Sequence, residues 1–186
     1  MKYLGVDPDL HTLSVAVLDD DGVLEGVYVA KHTGYKGCAA VVCILRELQR
    51  IYYLSNGVYD TPFVLAVESQ DSSYTGRTNL ARVQDLVTLG HVSGGVVAHL
   101  RATRTYLVKP QRWKGSVPKG IHQKRVLRRL GIEYTMKGGK SPYPVPVDFK
   151  RYDKTGNVNA GDWKDIVDSV GLAAYGRERW LREEGK

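Results

Sequence analysis

Cysteine and long apolar runs are scarce in this 186-residue chain. Its two cysteines, Cys38 and Cys43, lie five positions apart with no Cys or His at metal-binding spacing, so we expect neither a disulfide framework nor a zinc site. No apolar run approaches the roughly 18 residues of a membrane-spanning helix, and no N-terminal segment is typical of a signal peptide. We therefore expect a cytoplasmic protein. A hydrophobic content of 42% and the chain length suit a single globular domain covering 1–186.

Positive charge is scarce in the first half of the chain and concentrated in the second. Residues 1–100 hold 7 Lys+Arg against 11 Asp+Glu, whereas 101–186 hold 20 against 9, for a net charge of +7. Such a segregated excess is typical of a surface that binds nucleic acid, since each neutralised phosphate releases counterions. A solvated basic face is the alternative. An anionic membrane is a poorer partner, because the basic stretch "HQKRVLRRLG" has few large apolar residues to bury in lipid.

The apolar periodicity predicts the element order β-β-β-α-β-α-β-α. Strands are predicted at "KYLGV", "LSVAVLD", "VLEGVYVA", "TPFVLAVE" and "TRTYLVKP". Helices are predicted at the cysteine-bearing stretch, from about 79 to 98, at "KGIHQKRVLRRLG" with Gly131 as its cap, and from about Asp162 onward. Residues 132–160 are expected to be mostly loop or short extended pieces. We predict an α/β fold with a five-stranded mixed sheet, antiparallel in the order 3-2-1 and parallel in the order 1-4-5, flanked by helices.

This topology brings four carboxylates together. Asp7 ends the first strand and Glu68 ends the fourth, so parallel pairing puts them about one strand spacing of ~4.8 Å apart. In "AGDWKDIVDSVGLAAYG", Asp165 and Asp168 share one face of the last helix beside an apolar seam. A structural alternative makes Asp162 an N-cap and places Asp165 in a capping-box-like position, but it leaves Asp168 unexplained.

Clustered carboxylates repel one another, so a fold tolerates them mainly where cations neutralise the charge. Oxygen ligands without Cys or His favour Mg²⁺ or Mn²⁺. Two such ions roughly 4 Å apart are suited to phosphodiester hydrolysis.

Three motifs in this order resemble the RuvC-type Holliday junction resolvases of the RNase H-like (retroviral integrase) superfamily, especially compact forms encoded by bacteriophages. "YLGVDPDLHTLSVAVLD" resembles the first strand with its Asp, "VLAVESQ" the fourth strand with its Glu, and "DIVDSVGLAAYG" the final helix with its Asp-x-x-Asp. The resemblance covers nearly the whole chain and implies an RNase H-like fold. It also implies that the catalytic metal-binding acids are Asp7, Glu68, Asp165 and Asp168. Asp9 departs from the pattern, because the family usually has glycine there.

The segment "LVKPQRWKGSVPKGIHQKRVLRRL" resembles the part of the family that carries an active-site lysine, and Lys124 is the best match. Its expected role is to hold the scissile phosphate or stabilise developing charge. Trp113, in the same segment, is expected either to touch DNA or to pack into the core. The loop "SQDSSYTGRTN" resembles the part of the family that contacts the junction, so Tyr74 is expected either to stack on a base or to lie exposed in the loop. The expected DNA-binding residues are Tyr74, Arg77, Lys109, Arg112, Lys114, Lys119 and Arg125.

The resemblance implies a crossover junction endodeoxyribonuclease that uses two Mg²⁺ or Mn²⁺ ions and leaves 5′-phosphate ends. Because a four-way junction is two-fold symmetric, a homodimer that makes paired nicks is expected, with no membrane partner and no small-molecule cofactor. One alternative is an RNase H-like nuclease acting on branched DNA, flaps or RNA–DNA hybrids. Another is a module that binds junctions without cutting. A nucleotide-binding relative of actin and the sugar kinases is the weakest, since "DPDLHT" replaces its glycine-rich loop.

Overall fold

The computed structural model describes residues 1–9, 11–31, 38–54, 62–69, 80–136, 144–147, 149–156, 158–159 and 161–185. Its main sheet has the strand order β3-β2-β1-β4-β5. β1 pairs antiparallel with β2, and β2 with β3, whereas β1 pairs parallel with β4, and β4 with β5. The predicted fold class is confirmed. The strands are β1 (Lys2–Pro8), β2 (Thr12–Leu18), β3 (Leu24–Lys31), β4 (Phe63–Glu68) and β5 (Arg104–Val108).

Helices cover both faces of this sheet. One face packs on α1 (Cys38–Leu54) and α2 (Leu80–Leu100), and the opposite face packs on α5 (Trp163–Glu183) and α4 (Lys119–Arg129). All six residues of β4 are buried, as expected for a central strand covered on both sides. In the described part of the chain, no helix is long and apolar enough to cross a membrane.

The backbone of α5 lies directly on β1. A Cβ atom added to Gly5 would stand 1.9 Å from the carbonyl oxygen of Ser169 and 2.3 Å from the amide nitrogen of Ala173. Further along the helix, a Cβ on Gly176 would meet the Cβ of Ala66 at 3.0 Å. Small residues thus let the helix approach two adjacent strands closely. This approach brings the first turns of α5 to the sheet edge where Asp7 lies.

The basic half also contains a short helix that was not predicted and a small second sheet. A short helix, α3 (Pro110–Lys114), follows β5, with Pro110 at its first turn, where the missing amide proton costs nothing. A two-stranded sheet pairs β6 (Tyr134–Met136) with β7 (Pro144–Pro146). Short extended pieces were predicted in this region, but three-residue strands carry too little periodic signal to locate them or to predict their pairing.

Gly131 ends α4 as predicted. Its φ is +64°, its amide donates to the Arg128 carbonyl, and the Ile132 amide donates to that of Leu127.

Candidate active site

Asp7 and Glu68 lie side by side at the carboxyl ends of β1 and β4. The parallel register pairs Val6 with Val67, so the next residue of each strand is an acid. Asp7 is a strand residue paired with Ser14 of β2, and not part of a turn. Glu68 is buried at 5% exposure, whereas Asp7 is partly exposed. The register therefore brings these two acids together, as the predicted parallel pairing of β1 and β4 requires.

Asp165 and Asp168 reach this edge from the first turns of α5. Asp168 is fully buried, and Asp165 is partly exposed. The Ser14 hydroxyl donates a 2.9 Å hydrogen bond to the Asp165 carbonyl, which ties the helix to β2 opposite Asp7. The pKa of Asp7 responds to the charges of both Glu68 and Asp168, as expected for carboxylates that converge. We call Asp7, Glu68, Asp165 and Asp168 the acidic cluster.

Two lysines bind the acidic cluster. Lys114 Nζ, at the end of α3, lies 2.9 Å from Glu68 Oε2 and 3.1 Å from Asp168 Oδ2. Lys119 Nζ, at the start of α4, lies 2.8 Å from the same Asp168 oxygen and 3.7 Å from Asp165 Oδ1. Both were predicted to contact DNA, and the structure brings both to the acids.

Neutral donors fix the two buried carboxylates. The indole Nε1 of Trp113 donates to Glu68 Oε2 at 3.0 Å. The side-chain amide of Gln123 donates to Asp168 Oδ1 at 3.0 Å and to the Lys164 carbonyl at 2.8 Å. Gln123 is itself fully buried, so its amide has few other positions to adopt. Glu68 and Asp168 are therefore each held by one neutral donor as well as by lysine.

The electrostatics of the site disfavour negative charge on Asp7. Burial raises the pKa of Asp7 well above its usual value, and the charges of Glu68 and Asp168 raise it further, against the opposing effect of Lys114 and Lys119. Burial also raises the pKa of Asp165, with smaller contributions from Asp9 and Asp168, although Lys119 opposes the shift. The site thus carries more acid than its lysines neutralise.

Burial by itself lowers the pKa of each lysine ammonium. The carboxylates outweigh that effect, Asp168 above all, and the net pKa of both Lys114 and Lys119 is raised. Both lysines therefore stay charged at neutral pH.

The donor chemistry of the acidic cluster fits a hard divalent cation. Every ligand it offers is a carboxylate oxygen, the type that Mg²⁺ and Mn²⁺ prefer. Glu68 Oε2 and Asp168 Oδ2 already share one cationic nitrogen, so the two oxygens lie within reach of a single cation. Among the described residues, no group of three or more Asp, Glu, His or Cys side chains has an arrangement that could hold a metal ion as it stands. In this arrangement a lysine contacts the Glu68 and Asp168 oxygens.

The remaining predicted residues lie in three places. Lys124 is half-buried on α4, and among the described residues the ion pairs with the acidic cluster come from Lys114 and Lys119 instead. Exposed cations on the same α3–α4 segment are Lys109, Arg112 and Arg125. Tyr74 and Arg77 lie outside the described residues.

Asp162 precedes α5 as predicted, but it does not cap the helix through its side chain in the described structure. Its carboxylate accepts the Asn159 amide at 2.7 Å and pairs with Lys31 of β3. These contacts occupy the carboxylate, whereas the backbone carbonyl of Asp162 accepts from the Asp165 and Ile166 amides of the helix. Asp162 thus occupies the predicted N-cap position, but it lacks the side-chain bond of a capping box. Asp9 is exposed just beyond β1, where its amide donates to the Thr12 carbonyl.

Sequence reasoning missed the supporting roles of Trp113, Gln123 and Ser14. Trp113, expected either at DNA or in the core, packs against the core and donates to Glu68. Gln123 donates to a carboxylate and Ser14 to a backbone carbonyl, and such tertiary contacts leave no spacing signal in the sequence. The one available hint was the position of Trp113 directly before Lys114 in a basic stretch.

The fold is shared with RuvC from Thermus thermophilus. A structure of that protein in complex with Holliday junction substrate aligns with a TM-score of 0.59 and 16% identity, over 100% of this chain and 97% of its own. Another structure of Thermus thermophilus RuvC aligns with a TM-score of 0.56 and 15% identity over the same shares. No protein-family model and no curated protein matches the chain. At this level of identity the likeness establishes a RuvC-like fold.

Proposed function

We propose that this protein is a structure-selective endonuclease that resolves four-way DNA junctions by paired symmetric nicks. The observation that carries the proposal is the acidic cluster with its two lysines, built at one sheet edge of a RuvC-like fold. The similar structure of Thermus thermophilus RuvC contains a Holliday junction substrate, which makes this substrate the first one to test.

Asp7, Glu68, Asp165 and Asp168 are the residues that would hold two Mg²⁺ or Mn²⁺ ions. When bound, such ions supply an activated water and stabilise the leaving oxygen of a phosphodiester. Trp113 and Gln123 keep Glu68 and Asp168 aimed at one point, which is the function of outer-shell donors around metal ligands. We expect 5′-phosphate products, the outcome that the family resemblance implies.

The basic segment of α3 and α4 is the proposed DNA surface. Lys114 and Lys119 stand at the acids, so they are placed to hold the scissile phosphate and to stabilise charge that develops on it. The neighbouring cations Lys109, Arg112, Lys124 and Arg125 would contact flanking phosphates. Tyr74 and Arg77 remain proposed junction contacts on the evidence of the sequence. Because these are phosphate contacts, junction affinity should fall steeply with salt.

The substrate's symmetry calls for two active sites, and we propose a homodimer that nicks one strand with each subunit. We further propose that residues 1–186 act as one nuclease domain, that the protein is phage-encoded, and that it works in the host cytoplasm. These parts rest on the family resemblance and on the order of its motifs along the chain.

A substrate panel tests the proposal. Purified protein is incubated with a mobile four-way junction, matched duplex, a flap and an RNA–DNA hybrid, each with Mg²⁺ or Mn²⁺, and the products are mapped. Paired symmetric nicks confined to the junction are expected. Preferential cutting of the flap or the hybrid would identify that nucleic acid, and not the junction, as the substrate. Junction binding without a cut in either metal would contradict nuclease function.

A further inference from the structure

Two lysine ammonium groups stand against the carboxylates at the centre of the acidic cluster. Lys114 Nζ bridges Glu68 Oε2 at 2.9 Å and Asp168 Oδ2 at 3.1 Å, so it links acids from a strand and a helix. Lys119 Nζ contacts the same Asp168 oxygen at 2.8 Å. This single oxygen therefore accepts from two cations at once.

The contacts of Lys114 with Glu68 and Asp168 are shielded from water. The side chain of Asp168 is 0% exposed, that of Glu68 is 7% exposed and that of Lys114 is 17% exposed. A carboxylate at such a position is strongly disfavoured without a counter-ion, because it has lost its hydration. In the folded chain the two lysines therefore provide the neutralising charge that a bound metal ion would otherwise provide.

We propose that Lys114 and Lys119 are internal counter-ions that compete with the divalent metal for Glu68 and Asp168 and release these acids when a DNA phosphate binds the ammonium groups. The inference rests on the nuclease function proposed above. Competition follows from the contacts, because the oxygens that would bind the metal are those that the lysines hold. A divalent cation and an ammonium group on one carboxylate oxygen would also repel each other in a shielded site.

The geometry allows the ammonium groups to leave without moving the acids. Lys114 and Lys119 lie on either side of a Gly115–Pro118 connection, and each charge sits on a flexible four-carbon stem. Lys119 is 37% exposed, which gives its ammonium group a path to an incoming phosphate. Trp113 and Gln123 would keep Glu68 and Asp168 in place during the exchange.

Metal and DNA binding are then coupled. DNA that withdraws the lysines raises the affinity for metal, and by linkage metal raises the affinity for DNA by the same factor. The DNA-free protein would hold metal weakly, which limits the loaded enzyme to DNA-bound molecules.

Mn²⁺ titration of the DNA-free full chain by calorimetry tests the competition. Lys119→Gln and Lys114→Gln should each bind Mn²⁺ about tenfold more tightly than wild type, within the usual range of coupling between sites. Lys150→Gln, which removes the same charge from the exposed turn beside β3, should leave the affinity unchanged. Asp7→Asn should abolish binding and so identify the site. Wild-type or weaker affinity in both glutamine variants would overturn the proposal.

A second measurement on the wild-type chain does not depend on the folding of any variant. In protein carrying ¹³C-labelled lysine, saturating Mg²⁺ should shift the side-chain NMR signals of Lys114 and Lys119 and leave that of Lys150 in place. If the chain binds Mg²⁺ through Asp7 but the signals of Lys114 and Lys119 do not move, the counter-ion role is overturned and the proposed nuclease function is not. If wild type and variants bind no metal at all, the proposed nuclease function falls with it.

Discussion

Trp113 and Glu68 are joined by a 3.0 Å hydrogen bond from the indole Nε1 to the buried carboxylate. The same indole meets the His122 ring edge-on at a centroid distance of 4.7 Å and lies 4.5 Å from the Lys114 ammonium group. A Cβ on Gly171 of α5 would come within 2.6 Å of the indole, so the ring fills the space above that glycine. A tryptophan from the basic segment thus fixes an acid of β4 against α5.

We predict that Trp113→Phe impairs cleavage more than it impairs folding. The phenyl ring keeps most of the packing but cannot donate to Glu68, and losing such an outer-shell donor typically costs about 10- to 100-fold in activity or metal affinity. Single-turnover cleavage rates and thermal unfolding are compared with those of Trp180→Phe. This control removes similar ring volume from a residue of α5 that packs on the same core. Equal cleavage losses in the two variants would argue that only packing matters.

Substitution of two lysines tests whether the structure or the family resemblance identifies the active-site lysine. The structure places Lys119 on Asp168, whereas the family resemblance favours Lys124 as the active-site lysine. We predict that Lys119→Met slows cleavage by about 10²-fold, the loss expected on removing a preorganised charge that stabilises the transition state. Lys124→Met should mainly weaken junction binding. The reverse order of cleavage rates would restore Lys124 to the active site.

The close approach of α5 to β1 predicts a large stability effect at one glycine. Gly5→Ala forces a methyl group into the helix backbone and should lower the free energy of unfolding by about 3 kcal/mol or more. Gly90→Ala is the matched control, because it lies on an exposed position of α2 where no described atom stands within 4 Å. That change should instead stabilise by about 0.5–1 kcal/mol through helix propensity. Urea unfolding measures both, and an undisturbed Gly5→Ala protein would contradict the packing of α5.

The raised pKa of Asp7 predicts how the stability of metal-free protein depends on pH. Because burial and the charges of Glu68 and Asp168 raise this pKa in the folded state, the folded chain holds the proton more tightly than the unfolded chain. The resulting stability is fully present below the ordinary aspartate pKa and is lost as pH rises through the raised value. In EDTA at neutral pH, Asp7→Asn should therefore unfold at a higher temperature than wild type.

Asp153→Asn is the control of opposite sign. Burial alone would raise the pKa of Asp153, but hydrogen bonds from Thr155, Val158 and Gly156 outweigh it and lower that pKa. Its carboxylate adds stability above the ordinary aspartate pKa, and that stability is lost as pH falls through the lowered value. Asp153→Asn should therefore destabilise at neutral pH. Thermal scans across pH would contradict both assignments if the two variants shifted in the same direction.

The sheet and the position of the acids were predictable from local pattern. Alternating and fully apolar runs marked the strands, and the parallel pairing of β1 with β4 was enough to place Asp7 beside Glu68. The periodicity of "DIVDSVGLAAYG" put Asp165 and Asp168 on one helix face. These features depend on residues close in sequence or on a standard crossover.

The contacts around the acids were not predictable in the same way. Lys114 and Lys119 were expected to contact DNA. Nothing in the sequence of a basic loop indicates that a lysine will fold back onto a buried carboxylate. Asp162 matched a helix cap by position, yet its side chain pairs with Lys31, which is far away in sequence. Tertiary packing determines such partners, and no short motif in the sequence indicates them.

Cleavage and binding of a mobile four-way junction by wild type and Asp7→Asn, measured side by side in Mg²⁺, test the central claim most directly. The account predicts paired symmetric nicks with ligatable 5′-phosphate ends from the wild type. It predicts that Asp7→Asn still binds the junction, without the gain in affinity that bound metal gives the wild type, and makes no cut. Cutting by Asp7→Asn at a near wild-type rate, or the absence of any cut by wild-type protein bound to the junction, would contradict it.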